Sequence, residues 1–229
     1  GLGRDGFIFS RLEEVLAAAK KSKLKIEGIY AHFSASDDAN EAAYTKAQIE
    51  KLLIWKRAFV KNNFKILTHH AASAGSLMGY ANSELDLVRV GMALYGNWPS
   101  KDVKKACEKK IKLLPVLTWK TKITELRELK KGSKISYNCT YELKKNSKLA
   151  TLPIGYFDGI SRLSSNKAFV LVGGKKCPQI GRVTMNLIVI DVSGVKNVKI
   201  GDEVVIIGEQ GRARISATEM ADFAQTSCY

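Results

Sequence analysis

The stretch LKIEGIYAHF at residues 24–33 begins the pattern that decides the fold of the first half of the chain. Its aliphatic and aromatic residues predict a strand. The stretch 40–61, NEAAYTKAQIEKLLIWKRAFVK, places apolar residues at helical spacing, and FKILTHH at 64–70 predicts the next strand. LDLVRVG at 85–91 predicts a third strand. Strands that alternate with helices indicate parallel strands with helices packed outside them.

The helices of this half carry their own apolar faces. Residues 11–19 have apolar positions at helical spacing, and a short helix is expected to begin at Ser76. The long helix at 40–61 is expected to bury a set of large apolar side chains. That set is Ile49, Leu52, Leu53, Trp55 and Phe59.

The second half loses the helical period after about Ile111. Short stretches punctuated by Gly, Asn and Ser predict an antiparallel β domain with one late helix at 217–223. The predicted strands are 116–123, 133–141, 149–153, 168–172, 179–191 and 203–207. The fold class is therefore α/β followed by β, with the domains expected at residues 1–103 and 104–229.

Composition excludes several classes of protein. The chain has 229 residues, of which 45% are hydrophobic and 26% charged, as in ordinary globular proteins. No apolar run reaches the length of about 18 residues that spans a bilayer, so no membrane partner is expected. The four cysteines form no C-x-x-C pair, which favours reduced thiols in a cytoplasmic protein. Adjacent His69 and His70 point to opposite faces of a strand, so no metal site is expected.

The charge is strongly positive, with 37 Lys and Arg against 22 Asp and Glu, a net +15. Such a balance raises the expectation of an anionic partner. The lysines are nevertheless spread along the chain, and the sequence contains neither a zinc finger nor a helix-turn-helix pattern. We therefore expect a solvated Lys-rich surface and no nucleic-acid partner. A basic nucleic-acid binder remains a distant alternative.

Functional side chains are expected where the parallel strands end. Three or four βα units are too few to close an eight-stranded barrel, which takes about 250 residues. Either the sheet is open or the chain belongs to a longer protein. His32, Ser73, Arg89 and Gly91 fall at the C-terminal ends of the predicted strands, where such folds place catalytic and ligand-binding groups.

Six segments, in order along both halves, resemble motifs of the bacterial alanine racemases, which are fold-type III enzymes dependent on pyridoxal 5′-phosphate (PLP). The segments are GLGRDGF (1–7), HHAASA (69–74), DLVRVGMALYG (86–96), ISY (135–137), PIGYFDG (153–159) and GRVTMN (181–186). The resemblance implies the C-terminal part of a (β/α)₈ barrel that binds PLP, followed by a mostly antiparallel β domain. It also implies a cytoplasmic homodimer with shared active sites that interconverts L- and D-alanine for peptidoglycan synthesis.

The resemblance also implies roles for individual residues. Tyr137 matches the catalytic tyrosine, and His32 matches the histidine that hydrogen-bonds and tunes that tyrosine. The cofactor-binding positions are matched by Ser73, Arg89, Gly91, Met92 and Tyr229, the substrate-binding positions by Arg4 and Met185, and the substrate entrance by Tyr156, Asp158 and Arg162. Arg89 faces the pyridine nitrogen in the family, and a guanidinium cannot hand that nitrogen a proton. The family's K-A-x-A-Y-G-H-G motif, which carries the PLP-binding lysine, is absent from this sequence.

The sequence departs from the family motifs at three positions. Ala72 replaces an Asn beside Ser73, Asn186 replaces an Asp after Met185, and Asn138 replaces a Gly after Tyr137. Two alternatives stay open beside an alanine racemase. One is a racemase of another small amino acid such as serine or lysine. The other is an inactive fragment or binding module, because the lysine is missing.

Overall fold

The computed structural model describes residues 1–70, 74, 78–80 and 85–228, with residues 68–70 described by their backbone alone. The chain divides into two compact units, Gly1–Leu114 and Pro115–Tyr229. The predicted fold class is confirmed, because the first unit has parallel strands with helices and the second has a mostly antiparallel sheet. No helix in the described ranges is long and apolar enough to cross a membrane.

The first unit contains a three-stranded parallel sheet with helices. Its strands are β1 (Gly28–Ala31), β2 (Leu67–His70) and β3 (Leu87–Val88), and its helices are α1 (Leu12–Lys21), α2 (Ala42–Lys61) and α3 (Lys101–Cys107). Short 3₁₀ turns lie at Phe9–Arg11, Ala39–Glu41 and Met92–Tyr95. The strand order is β1-β2-β3, and the register aligns Gly28 with Leu67 and His69 with Leu87. All three strands therefore end at the same edge of the sheet.

The long helix α2 buries the face that its spacing predicts. Ile49, Leu52 and Phe59 are buried, and Leu53 and Trp55 are partly buried against the same clusters. Phe59 packs with Leu16 of α1, so the two helices share one core. The helix predicted at 11–19 is confirmed as α1.

The strands of the first unit are shorter than their apolar stretches. The predicted strands 24–33 and 85–91 form ladders only at β1 and β3, because the parallel pairing with β2 extends no further. Leu67, Leu87 and Val88 remain exposed. The helix expected from Ser76 falls mostly outside the described residues, although Met78 and Gly79 form a turn.

The second unit is built on an eight-stranded sheet and a separate two-stranded ladder. Its strands are β4 (Trp119–Lys122), β5 (Glu125–Leu129), β6 (Lys134–Ile135), β7 (Tyr141–Glu142), β8 (Ser147–Leu152), β9 (Phe169–Val172), β10 (Lys175–Ile180), β11 (Ile188–Asp191), β12 (Glu203–Gln210) and β13 (Ala213–Ile215). The large sheet has the order β13-β12-β9-β10-β11-β8-β5, with β4 also pairing with β12, and the ladder joins β6 to β7. Helix α4 (Ala217–Ala224) confirms the predicted late helix, and a capping box between Ser216 and Glu219 begins it.

The largest cluster of buried apolar side chains lies in the second unit. Ile123, Leu152, Ile190 and Val204 are almost fully buried in it. Burying side chains of this size contributes about 1.5–3 kcal/mol each. The ends of the loops that leave the sheet are therefore anchored to well-packed strands.

Two predicted strands of the second unit are wrong in a way that matters for the site. The stretch 179–191 divides into the ends of β10 and β11, because Gly181 takes a φ of 76° and turns the chain. The stretch 133–141 divides into β6 and β7 around a 3₁₀ turn at Tyr137–Cys139. Strands β5 and β13 and helix α3 lack a sequence prediction. The domain boundary expected after residue 103 stays a prediction, while the contacts group α3 with the first unit.

Candidate functional site

Three of the residues that the sequence singles out come together in the first unit. His32 directly follows β1, and Arg89 directly follows β3, at the shared carboxyl edge of the sheet. Arg4 lies close enough that its charge acts on the same imidazole. Partial burial lowers the pKa of His32 from its ordinary value, and the positive charges of Arg4 and Arg89 lower that pKa further. The surroundings of His32 therefore favour the neutral form of its imidazole.

The two arginines have no carboxylate partner among the described residues. Arg89 lies over the ring of Tyr30, with 4.2 Å from its guanidinium carbon to the ring centroid. Within the described ranges, neither Arg4 nor Arg89 has a carboxylate at ion-pair distance. Guanidinium groups without a carboxylate partner suit a carboxylate or phosphate ligand, which they bind in bidentate geometry.

The other described candidate positions of the first unit, Gly91 and Met92, present backbone groups. Gly91 precedes the 3₁₀ turn Met92–Tyr95, and the first amides of such a turn have no acceptor inside it. The side chain of Met92 is 7% exposed and packs into the unit. Only the main chain of Met92 is therefore available to a ligand. The predicted cofactor-binding residues Ser73 and Tyr229 lie outside the described residues, as does the departure at Ala72.

Tyr137 lies on an exposed turn of the second unit. Its side chain is 71% exposed, so Tyr137 does not pack inside the core of this unit. Ser136, Asn138 and Cys139 around it have φ angles of 63°, 60° and 50°. Three non-glycine residues with positive φ in four positions store backbone strain, which the surrounding contacts must hold in place.

The backbone conformation of Asn138 explains one departure from the family motifs. Asn138 replaces the family's Gly and occupies the left-handed region, with φ 60° and ψ 15°. Asparagine is among the few non-glycine residues that tolerate this region. The backbone that Gly permits is therefore kept by Asn138. The exposed Asn186 remains without a structural explanation.

The segment 181–185, which we call the central strip, contacts every other candidate segment of the second unit. The hydroxyl of Ser136 donates to the carbonyl oxygen of Arg182 at 2.9 Å. The amides of Tyr156 and Phe157 donate to the carbonyls of Thr184 and Met185, each at 3.0 Å. The strip thus joins the turn of Tyr137 to the turn of Tyr156, with the exposed Met185 at its end.

The residues predicted for the substrate entrance make different contacts. The guanidinium carbon of Arg162 lies 5.7 Å from the ring centroid of Tyr156, so these two side chains are neighbours. The carboxylate of Asp158 accepts from the amide of Gly155 at 2.9 Å and closes the turn Tyr156–Asp158. Asp158 therefore has a structural task in shaping this turn.

Sequence reasoning missed the residues that secure the strip. Asn166 and Gln179 bond to it with their side chains, and neither lies in a quoted motif. The buried Nε of Arg182 has no hydrogen-bond partner in the described part of the chain. The only signal for Asn166 is its position in a turn-forming run, SSN at 164–166, which does not identify its partners.

Comparison with known proteins matches both units. The family model of the alanine racemase N-terminal domain matches residues 1–99, and that of the alanine racemase C-terminal domain matches residues 116–229. An alanine racemase of Halothermothrix orenii is 42% identical over 233 residues, covering all of this chain and 59% of the relative. One from Clostridium perfringens is 40% identical over 231 residues, again covering all of this chain and 59% of the relative. The chain thus spans about three fifths of the length of these curated relatives.

Solved structures give the same result. The alanine racemase of Bacillus anthracis with bound L-Ala-P has a TM-score of 0.86 and 34% identity, covering all of this chain and 58% of that one. The alanine racemase of Streptomyces lavendulae has a TM-score of 0.89 and 28% identity, covering all of this chain and 60% of that one. The alanine racemase of Bartonella henselae, with covalently bound pyridoxal phosphate, has a TM-score of 0.79 and 25% identity, covering all of this chain and 60% of that one.

Proposed function

The chain belongs to the alanine racemase family, and from that premise we propose that the full-length protein interconverts L- and D-alanine with PLP in the cytoplasm. The observation that carries the proposal is the cluster of Arg4, His32 and Arg89, in which two guanidinium groups without a carboxylate partner in the described part of the chain act on one imidazole and lower its pKa. Such a cluster suits a cofactor and a substrate that both bring negative charge. We assign the supply of D-alanine for peptidoglycan to this activity.

The residues present fit PLP. Arg4 and Arg89 offer donors to its anionic and ring-nitrogen atoms, and the turn after Gly91 offers backbone amides to its phosphate. PLP, when bound, supplies the electron sink that makes the Cα proton of an amino acid removable. In this proposal Arg89 donates to the pyridine nitrogen and, being always protonated, does not give that nitrogen a proton. Ser73 and Tyr229 are proposed to add hydroxyl groups at the phosphate.

The substrate is held by its carboxylate. Arg4 donates to that carboxylate, and the backbone amide of Met185 donates to it from the end of the central strip. The phenolic oxygen of Tyr137 then takes a proton from, or returns one to, one face of Cα. Partial burial, Arg4 and Arg89 lower the pKa of His32, so its imidazole is neutral at pH 7 and available as a hydrogen-bond partner of the phenol.

Racemisation needs a second proton-transfer group on the opposite face of Cα. We propose that this group is the PLP-binding lysine of the family motif, in a segment of the full-length protein that this sequence does not include. We also propose a homodimer in which Tyr137, Met185, Tyr156, Asp158 and Arg162 serve the site of the neighbouring subunit. The 229 residues alone are then expected to show no turnover with PLP.

The test is racemisation by the full-length protein with PLP. L-alanine, L-serine and L-lysine are offered separately, and the D-enantiomer of each is measured by chiral chromatography. We expect D-alanine to form fastest. If D-serine or D-lysine forms faster than D-alanine, serine or lysine is the substrate in place of alanine. The absence of turnover with all three amino acids would overturn the proposal.

A further inference from the structure

We propose that Asn166 is a positioning residue for the proposed racemisation: its side chain fixes the turn of Tyr137 against the central strip that ends at Met185. This inference rests on the proposed function. It concerns a residue outside the motifs that carry the family resemblance. All of its contacts lie inside the second unit.

The side chain of Asn166 bonds in two directions. Its Oδ1 accepts from the amide of Gly181 at 2.6 Å, at the start of the central strip. Its Nδ2 faces the residue that follows the turn of Tyr137, at 3.3 Å from the Oγ1 and 3.5 Å from the carbonyl oxygen of Thr140. One amide group therefore ties the strip to the turn.

Asn166 is itself held in place. Its backbone lies in the left-handed region, with a φ of 62°, and its amide donates to Oε1 of Gln179 at 2.9 Å. Gln179 is 2% exposed, and its Nε2 donates to the carbonyl of Gly181 at 2.8 Å. A buried amide that uses both its donor and its acceptor is rigid, because an unmade bond there is costly. Asn166 thus bonds the amide of Gly181, and Gln179 bonds its carbonyl oxygen.

The other end of the turn has a separate tie. Ser136 has φ 63° and ψ −176°, a region that is almost restricted to glycine, and its hydroxyl donates to Arg182. Ser165, beside Asn166, accepts from the amide of Val183 at 3.0 Å. The strained turn is thus fastened before Tyr137 through Ser136 and after Tyr137 through Asn166 and Thr140. Both fastenings end on the same strip.

The consequence is geometric. In the proposed function the substrate carboxylate meets the amide of Met185 while Cα meets the phenol of Tyr137. The separation between the strip and the turn therefore sets how well Cα is aligned with the phenol. A misplacement of about 1 Å in such an alignment costs up to about 100-fold in rate. Loss of the Asn166 side chain should lower kcat more than it raises KM, because Arg4 still holds the carboxylate.

The experiment compares three variants in the full-length holoenzyme. Asn166→Gly keeps the left-handed backbone and removes the amide, and Asn166→Asp keeps the acceptor for Gly181 and can accept from the Thr140 hydroxyl. The matched control is Asn197→Gly, an exposed loop residue with a φ of 54°. In the described part of the chain its side chain makes no hydrogen bond. The readouts are kcat, KM, the pH profile of kcat and the thermal midpoint.

We expect Asn166→Gly to lower kcat about 10-fold or more and to change KM less than about threefold. Its pH profile should shift, because the environment of the phenol has changed, whereas Asn197→Gly should keep the profile of the parent. Asn166→Asp should recover most of the lost kcat. Equal kcat in Asn166→Gly and Asn197→Gly would overturn the inference, as would a loss of thermal midpoint without a change in kcat. An inactive parent protein would instead refute the proposed function itself.

Discussion

The two units prepare their candidate residues by different physical means. In the first unit His32 and Arg89 lie at the ends of parallel strands, and the charges of Arg4 and Arg89 act on His32. In the second unit the groups lie on turns, and a strained backbone fixed by side-chain amides determines where Tyr137 points. The first unit thus depends on electrostatics and the second on backbone geometry. Substitutions that remove charge and substitutions that move the backbone should therefore have separable effects.

The largest effect is expected from removing the phenol of the second unit. Tyr137→Phe keeps the ring and deletes the oxygen proposed to move the Cα proton. We expect kcat of the full-length protein to fall about 100- to 10,000-fold, the usual contribution of a general acid or base. Tyr44→Phe, at a half-exposed position on α2, is the control and should leave kcat unchanged. A fall of less than about tenfold in Tyr137→Phe would remove Tyr137 from the proposed reaction.

Backbone geometry is tested at Gly181. A Cβ there would lie 2.6 Å from the Cβ of Ser136, and φ is 76°. Gly201 also has a positive φ, 89°, but a methyl group added at Gly201 would meet no atom within 4 Å. Gly201→Ala should cost about 1 kcal/mol of unfolding free energy, and Gly181→Ala about 1–3 kcal/mol more because of the clash.

Gly181→Ala should also lower kcat, since the turn of Tyr137 has to move away from the new methyl. Chemical denaturation and steady-state kinetics on both variants measure the two effects. Equal stability and equal kcat in the two variants would show that the strip does not constrain the turn.

Much of the first unit could be predicted from the sequence, because its candidate residues His32 and Arg89 follow strands. The apolar stretch before His32 predicts β1, and strand ends predict where His32 and Arg89 lie. The extent of each strand was not accessible, since it depends on how far the pairing with β2 reaches. In the second unit the sequence shows the motif around Tyr137. It does not predict the turn that carries Tyr137, because the residues of that turn are also compatible with a strand. The partners of Asn166 come from segments 26 and 15 residues away, and local pattern carries no information about such pairings.

Electrostatics of the first unit is tested by titrating His32. Burial and the two arginines lower its pKa, so NMR of the full-length apoprotein should give a value below the ordinary 6.5. Arg4→Gln should raise that value. The unfolded chain binds the proton more readily than the folded one. The contribution of His32 to stability is therefore lowest in acid and rises with pH between the lowered pKa of the folded protein and the ordinary 6.5. A pKa above 6.5, or no response to Arg4→Gln, would contradict the proposed charge cluster.

The smallest expected effect is a difference in alkylation rate between two thiols of the second unit. Burial, with a smaller contribution from the charge of Asp191, raises the pKa of the Cys177 thiol to about 11. At pH 8 its thiolate is about 100-fold scarcer than that of a thiol of pKa 9. Cys139, on the exposed turn, should therefore be alkylated faster than Cys177 in the folded protein, as mass spectrometry would show. Comparable labelling of both before unfolding would contradict the closed core of this unit.

In the proposed reaction Tyr137 serves one face of Cα while a different group serves the other. Proton exchange at Cα in D₂O, followed by NMR for each enantiomer of alanine, tests it in the full-length protein and in Tyr137→Phe. We predict that the parent exchanges and inverts both enantiomers. The variant should exchange the Cα proton of one enantiomer with little inversion and leave the other almost unexchanged. Exchange of both enantiomers by the variant at the rates of the parent would contradict the claim.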